Sequence, residues 1–382
     1  MKAAVKQIYN WLDERVGLNE LVEFAKKKTV PEHKHTFWYY WGGISLLFFI
    51  IQAFTGALLL IYYRPGPEAY ESVRQITYEI QFGWLIRSIH SWAANLMILA
   101  VFIHMLSVYF MKAYRKPREL GWLSGIALLM LAMFFGFSGY LLPMDELAYF
   151  ATKVGLEVPA APTDALGGIL ANMLGAVGIK ADWLRTIGTE LSSLIRGGVE
   201  VNEYTVQRFF ALHVVLLPAI FLGVLGFHLW LVQKHGNAIP PSEEAKPLSE
   251  RKSVPFFPNF FMRDLAMWLV ALNVLILLAA MFPWELGQPA DPLKPAPAGI
   301  HPEWYFMSSF QVLKALGSWF PGITGEILGM VIFTAGLILW VLIPFYDNTN
   351  QSGKRARRAT WFGLFTLAVL VITTIWGYLA LK

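Results

Sequence analysis

Seven apolar runs, at roughly 38–62, 84–111, 122–142, 209–232, 265–283, 326–345 and 361–380, constrain this chain more than any other feature. Each approaches the ~20 residues a helix needs to cross about 30 Å of hydrocarbon. A backbone inside lipid has to satisfy its own N–H and C=O groups, so the runs predict an all-α integral membrane bundle of seven transmembrane helices. With 56% hydrophobic and 15% charged residues, the chain also lies outside the range of soluble domains.

The charges set an expected topology. Of 31 Lys and Arg residues, 20 lie in the N-terminal segment and in the loops at about 112–121, 233–264 and 346–360, including Lys26-Lys27-Lys28 and Lys354-Arg355-Ala356-Arg357-Arg358. Basic loops tend to remain on the cytoplasmic side, so the N-terminus of this multi-pass chain is expected there. The net charge of +5 then reflects topology and needs no nucleic-acid partner. Residues 1–37 lack the apolar core of a signal peptide. Within them Val5, Ile8, Leu12 and Val16 recur at helical spacing opposite Lys2, Lys6 and Asp13, which predicts an amphipathic helix on the membrane surface, with a frayed tail as the alternative.

The expected divisions are a surface segment at 1–37, a four-helix bundle at 38–233, a Pro-rich connection at 234–262 and a three-helix region at 263–382. The stretches at 143–208 and 284–325 are too long for turns and fall on the non-cytoplasmic side, where they are candidates to form one docking surface and one site.

Four of the eight histidines lie inside predicted spans: His90 and His104 in the second, His213 and His228 in the fourth. An ionisable residue in a span is a functional hypothesis by default, although a lone one is more often a packed core residue. Here they come in pairs. A separation of 14 residues gives roughly 21 Å of rise and a phase mismatch near 40°, and one of 15 residues roughly 22 Å and about 60° in the opposite sense. The two spans run parallel, so His90 is expected level with His213, and His104 with His228. Each pair can supply both axial ligands of a redox-active iron porphyrin, leaving no open position for substrate. Two haems near opposite faces would then form an electron path across the bilayer. Gly42 and Gly56 on the first span, and Gly125 and Gly139 on the third, share the 14-residue period and would clear room for the porphyrin edges, or simply ease helix packing. Arg87 and Arg208 stand near His90 and His213, as propionate partners or snorkelling anchors. With no cysteine in the chain, thiolate clusters and thioether-attached haem are excluded.

Taken with Arg87-Ser88-Ile89-His90, Gly139-Tyr140-Leu141-Leu142-Pro143 and Pro302-Glu303-Trp304-Tyr305, these features resemble the cytochrome b subunits of quinol:cytochrome c and quinol:plastocyanin oxidoreductases, over nearly the whole chain. The resemblance implies two non-covalent b haems, low-potential at His90/His213 and high-potential at His104/His228, and a quinol-oxidation site on the non-cytoplasmic side. There Glu303 would accept a proton from quinol, Tyr305 and Tyr140 would shape the pocket, and Pro143 would open the turn. One electron would go to a Rieske iron–sulfur protein and on to a cytochrome c-type subunit. The other would pass through both haems to a quinone-reduction site at Asp264, Arg263 and His235. Without the resemblance, Glu303 and Asp264 read as helix-start acids. The resemblance further implies exchange with a quinone pool, a homodimeric complex, a contribution to a proton gradient, and a bacterial cytoplasmic membrane as the location.

Several residues lean toward the photosynthetic branch: the 15-residue histidine spacing, Tyr63-Arg64-Pro65, Lys116-Pro117-Arg118-Glu119-Leu120 and Asp145. Yet the chain is fused, and Tyr40 stands where that branch attaches an extra haem through cysteine. Met144 replaces the usual Trp, and Ser107 stands where relatives often carry a propionate-binding Arg, for which Lys112 or Arg115 would compensate. Two competing readings are a simpler di-haem anchor of a hydrogenase or formate dehydrogenase, which leaves residues 265–382 unexplained, and a transporter without haem.

Overall fold

The computed structural model describes residues 2–297, 299–320, 322–348 and 353–381. Among them seven helices are long and apolar enough to cross a membrane, and they stand where the apolar runs predict: Thr36–Leu59, Gly83–Phe110, Glu119–Tyr140, Glu203–His235, Phe256–Met281, Thr324–Tyr346 and Lys354–Leu379, here the first to seventh spans. The chain begins at what we call the N-terminal face; the opposite one is the far face. The first span packs along the second and the third along the fourth, while the fifth lies against the first two and the sixth against the third.

The fourth span contains a π-helical turn at Leu212–Leu216, just before Pro218. Proline cannot donate to the helix ladder and its ring crowds the carbonyl four residues back, which a wider turn accommodates. The turn absorbs one residue. The 15-residue separation of His213 and His228 therefore acts as about 14, which brings the two histidine ladders toward the same phase.

Both long loops carry helices. The 143–208 segment folds into Glu146–Glu157, Ala160–Ala176 and Ile187–Arg196, and the 284–325 segment ends in Trp304–Trp319, a helix that packs on the sixth and seventh spans without being one. At the N-terminal face the helices Lys2–Val16 and Leu18–Lys27 precede a two-stranded antiparallel ribbon, Thr29–Glu32 on Lys252–Pro255, which ties the N-terminal segment to the connection after the fourth span. Val5, Ile8, Leu12 and Val16 form an exposed apolar row on the first of these helices, the face expected to meet the membrane surface.

The bundle is joined to the last two spans by a buried polar knot. Asp347, fully buried, accepts from the Tyr114 hydroxyl at 2.7 Å and from Arg115 Nη2 at 2.8 Å, with Lys112 Nζ at 3.6 Å. Trp122 Nε1 donates to the Trp340 carbonyl at 3.0 Å, and the Tyr109 hydroxyl to that of Ala359 at 2.6 Å. Lys112 and Arg115, the candidates to compensate for Ser107, are thus turned toward Asp347.

Candidate functional site

The four span histidines meet two by two. The rings of His90 and His213 have centres 6.5 Å apart with an interplanar angle of 71°, and His104 and His228 lie within electrostatic reach of each other. With each nitrogen about 2 Å from a shared metal, two imidazole centres stand a little over ~6 Å apart, so the first pair has the spacing that one bridging metal requires. Among the described residues no three His, Asp or Glu side chains gather as a protein-only metal site would need. A metal held here brings its remaining ligands with it, as a porphyrin does.

Hydroxyl groups set the imidazole tautomers. Thr55 Oγ1 lies 2.8 Å from His90 Nδ1, Ser138 Oγ 3.0 Å from His213 Nδ1 and Ser124 Oγ 2.9 Å from His228 Nδ1. Each hydroxyl donates its own proton to a carbonyl of its helix, Ile51 at 2.7 Å, Phe135 at 3.3 Å and Gly121 at 3.1 Å. Its lone pair is then left to accept, so Nδ1 of each ring is the protonated nitrogen and Nε2 carries the free lone pair that a metal takes. His104 is the exception: its Nδ1 is buried with no partner.

The periodic glycines lie against the imidazole rings. A Cβ on Gly56 would stand 3.4 Å from His90 Cε1, on Gly42 3.1 Å from His104 Cε1, on Gly125 3.5 Å from His228 Cε1 and on Gly139 2.7 Å from His213 Cε1. Each ring is seated by the neighbouring span of its helix pair. Arg87 is buried and its guanidinium donates to the carbonyls of Trp284 at 2.6 Å and Glu285 at 3.2 Å, and Arg208 donates to the Leu194 carbonyl. Both arginines therefore stitch spans to far-face loops.

Those loops converge as expected. Asp145 caps the Glu146–Glu157 helix through Ala148 N at 2.9 Å and also receives Gly287 N at 3.3 Å, while Glu146 N donates to Gln288 O at 2.8 Å. Pro143 lies in a tight turn closed by Met144 N on Leu141 O at 2.9 Å, with Met144 at φ 51°, a region costly for a residue with a side chain. Glu303 precedes the Trp304–Trp319 helix, and Trp304 Nε1 donates to Asn95 Oδ1 of the second span at 2.8 Å. That anchor brings the Tyr305 hydroxyl onto Gly136 of the third span, with the charges of Glu303 and Tyr140 both acting on Tyr305. Burial pushes the Glu303 carboxyl up from its ordinary value, opposed by His301. Tyr378 of the seventh span, which the sequence did not single out, joins this group: its ring lies 5.6 Å from that of His301.

The three N-terminal-face residues do not form one cluster. Asp264 lies against Gly43, near Trp268 Nε1, and Arg263 Nη1 turns away to Glu32 at 2.8 Å. His235 is engaged through its carbonyl, by Arg118 Nη2 at 3.0 Å. Asp264 Oδ1, Trp268 Nε1, Trp41 Nε1 and His104 Nδ1 are all buried without hydrogen-bond partners.

Seven membrane-length helices, four of them packed around paired buried imidazoles, define a class, the all-α integral membrane bundles with histidines able to hold a cofactor. The chain matches the family models described as cytochrome b (N-terminal)/b6/petB over residues 95–289 and cytochrome b (C-terminal)/b6/petD over residues 289–381. It belongs to the cytochrome b family, the electron-transport membrane subunits of cytochrome bc complexes. It is 46% identical over 369 residues to a cytochrome bc complex cytochrome b subunit of Chlorobaculum thiosulfatiphilum, covering 96% of this chain and 80% of that one. A cytochrome b6 of Heliobacterium mobile is 40% identical over 60% of this chain and 99% of its own length. A chain of a hyperthermophilic respiratory Complex III superposes with a TM-score of 0.81 at 31% identity, covering 97% of this chain and 91% of that chain.

Proposed function

We propose that this chain is the cytochrome b of a quinol-oxidising respiratory complex, linking quinol oxidation at the far face to quinone reduction at the N-terminal face. The observation that carries the reading is the pairing of buried imidazoles, His90 with His213 at 6.5 Å between ring centres and His104 with His228, three of them held at Nδ1 by a hydroxyl. His90 with His213, and His104 with His228, hold two non-covalent b haems, which when bound supply one-electron transfer across the bilayer. Thr55, Ser138 and Ser124 orient the rings, Gly42, Gly56, Gly125 and Gly139 give them room, and Arg87 and Arg208 hold propionates with the N–H groups the loop carbonyls leave over. Such a site does no chemistry on substrate itself, so oxidation of quinol falls to the far-face groups.

There Glu303 takes a quinol proton. Burial raises its carboxyl above the ordinary carboxylate value, which makes it a stronger proton acceptor. Tyr140 and Tyr305 wall the pocket, and the Pro143 turn sets its mouth. On the N-terminal face Asp264 and its unpartnered neighbour Trp268 mark the quinone-reduction site, with Arg263 and His235 at its rim. The divisions at 1–37, 38–233, 234–262 and 263–382 separate surface segment, haem bundle, connection and quinol-site region. Partners of the reading are a Rieske iron–sulfur protein, a cytochrome c-type subunit, the quinone pool and a second copy of the complex. The membrane is a bacterial cytoplasmic one, with the N-terminal face inward.

Glu303→Gln in the intact complex tests this. The variant is expected to slow quinol oxidation at least ~100-fold, the usual scale for a lost general base, with both haem spectra intact. Because Glu303 accepts only when ionised, the wild-type rate should fall as pH drops through its raised pKa, and the variant should lack that limb. Normal turnover in the variant would contradict the assignment.

A further inference from the structure

We propose that His301 is the proton outlet of the quinol-oxidation site, taking the proton that Glu303 receives and passing it to water at the far face. The inference rests on the reading of Glu303 above and adds a residue to it.

Three observations carry it. His301 Nδ1 lies 3.0 Å from the Pro302 carbonyl, which can only accept, so Nδ1 holds the ring proton and Nε2 presents a free basic lone pair. The half-buried ring stands two residues before Glu303 and packs edge-on against Tyr378, which is 40% exposed at the end of the seventh span, so it sits between pocket and surface. The remaining groups that act on this pocket cannot do the task. Tyr140, Tyr305 and Tyr378 are phenols, which keep their proton near neutrality and so offer no basic phenolate to collect another. Asp145, which acts on Tyr140, is held by two backbone N–H groups, Ala148 and Gly287. The His301 imidazole is the group of this set whose ring nitrogen can both take up a proton and release it. Its charge is also felt at Glu303, where it opposes the effect of burial and so favours return of the carboxyl to its ionised form.

The cycle balances in protons. A quinol O–H proton goes to the Glu303 carboxylate as the electrons leave to the complex's own acceptors. The Glu303 carboxylic acid then gives that proton to His301 Nε2, regenerating carboxylate and forming imidazolium, which releases one proton to water and is neutral again. His301 touches no substrate in this scheme and acts through Glu303.

The test is single-turnover haem reduction by quinol in the purified complex across pH 5.5 to 9, for wild type, His301→Gln, His301→Gly and Glu303→Gln. We expect His301→Gln to slow the reaction about tenfold or more, to change its pH profile, and to leave its dependence on quinol concentration and both haem spectra unchanged. Millimolar imidazole should restore the His301→Gly rate. A wild-type rate and profile in His301→Gln would overturn the inference, as would slowing that keeps the wild-type pH profile and ignores imidazole. If Glu303→Gln is slow while His301→Gln is normal, this outlet alone fails; if Glu303→Gln is itself normal, the reading beneath it fails.

Discussion

On the far face both imidazoles hold a hydroxyl at Nδ1, Thr55 for His90 and Ser138 for His213, whereas on the N-terminal face only His228 does, through Ser124. The difference is local. Three of the four ring-facing glycines follow a hydroxyl residue, as Thr55-Gly56, Ser124-Gly125 and Ser138-Gly139, and the fourth is Trp41-Gly42. Adjacent helix positions point ~100° apart, so the glycine admits the ring edge while the residue before it reaches Nδ1. Where that residue is tryptophan, His104 Nδ1 stays unpaired, close in the fold to the unpaired Asp264 and Trp268. A buried polar atom without a partner costs about 1–3 kcal/mol, and several together mark a place where another group completes them. The far-face imidazoles both find Nδ1 partners within the chain, and on the N-terminal face His104 does not.

This contrast can be broken by mutation, and the largest effect should come from the ligands. His213→Leu is expected to remove the far-face haem and His228→Leu the other, each halving the haem content measured as pyridine haemochrome. Next come the glycines, which are unequal. A Cβ at Gly139 would stand 2.7 Å from its ring and one at Gly125 3.5 Å, so Gly139→Ala should destabilise by about 1–3 kcal/mol as overpacking does. Gly125→Ala should be close to neutral in thermal melts. Third are the hydroxyls: Thr55→Val should weaken haem retention on the far face by ~10–100-fold, the usual cost of a lost outer partner of a ligand histidine. The smallest effect is expected from Trp41→Ser, which supplies the missing acceptor to His104. It should lower the potential of the N-terminal-face haem in a redox titration by tens of millivolts at most, a donor-strengthening effect, and leave the other unmoved.

Much of this was legible beforehand. The spans follow from apolar run length alone, and the pairing of His90 with His213 and of His104 with His228 follows from helical rise. The π-helical turn was not, because the sequence shows Pro218 but not how the helix absorbs it; the phase error assigned to the 15-residue spacing came from assuming an unbroken α-helix. The glycine period is readable, but which ring each glycine meets is not, since a period says which face is empty and not what lies against it. A hydroxyl residue precedes three of the four glycines, but the sequence alone does not say that it reaches a ring nitrogen on the next helix. Tyr378 lay beyond reach because nothing local marks the end of the seventh span as a neighbour of the 284–325 loop, and Arg263 and Asp264, adjacent in sequence, point to different partners because neighbouring helix residues share no face.

The most direct test of the central claim is haem stoichiometry by pyridine haemochrome, with low-temperature electron paramagnetic resonance, on the purified chain and on His213→Leu and His228→Leu. Two non-covalent low-spin b haems are expected in the parent and a single, different survivor in each variant. Folded parent protein without haem, or two low-spin signals persisting in either variant, would contradict it.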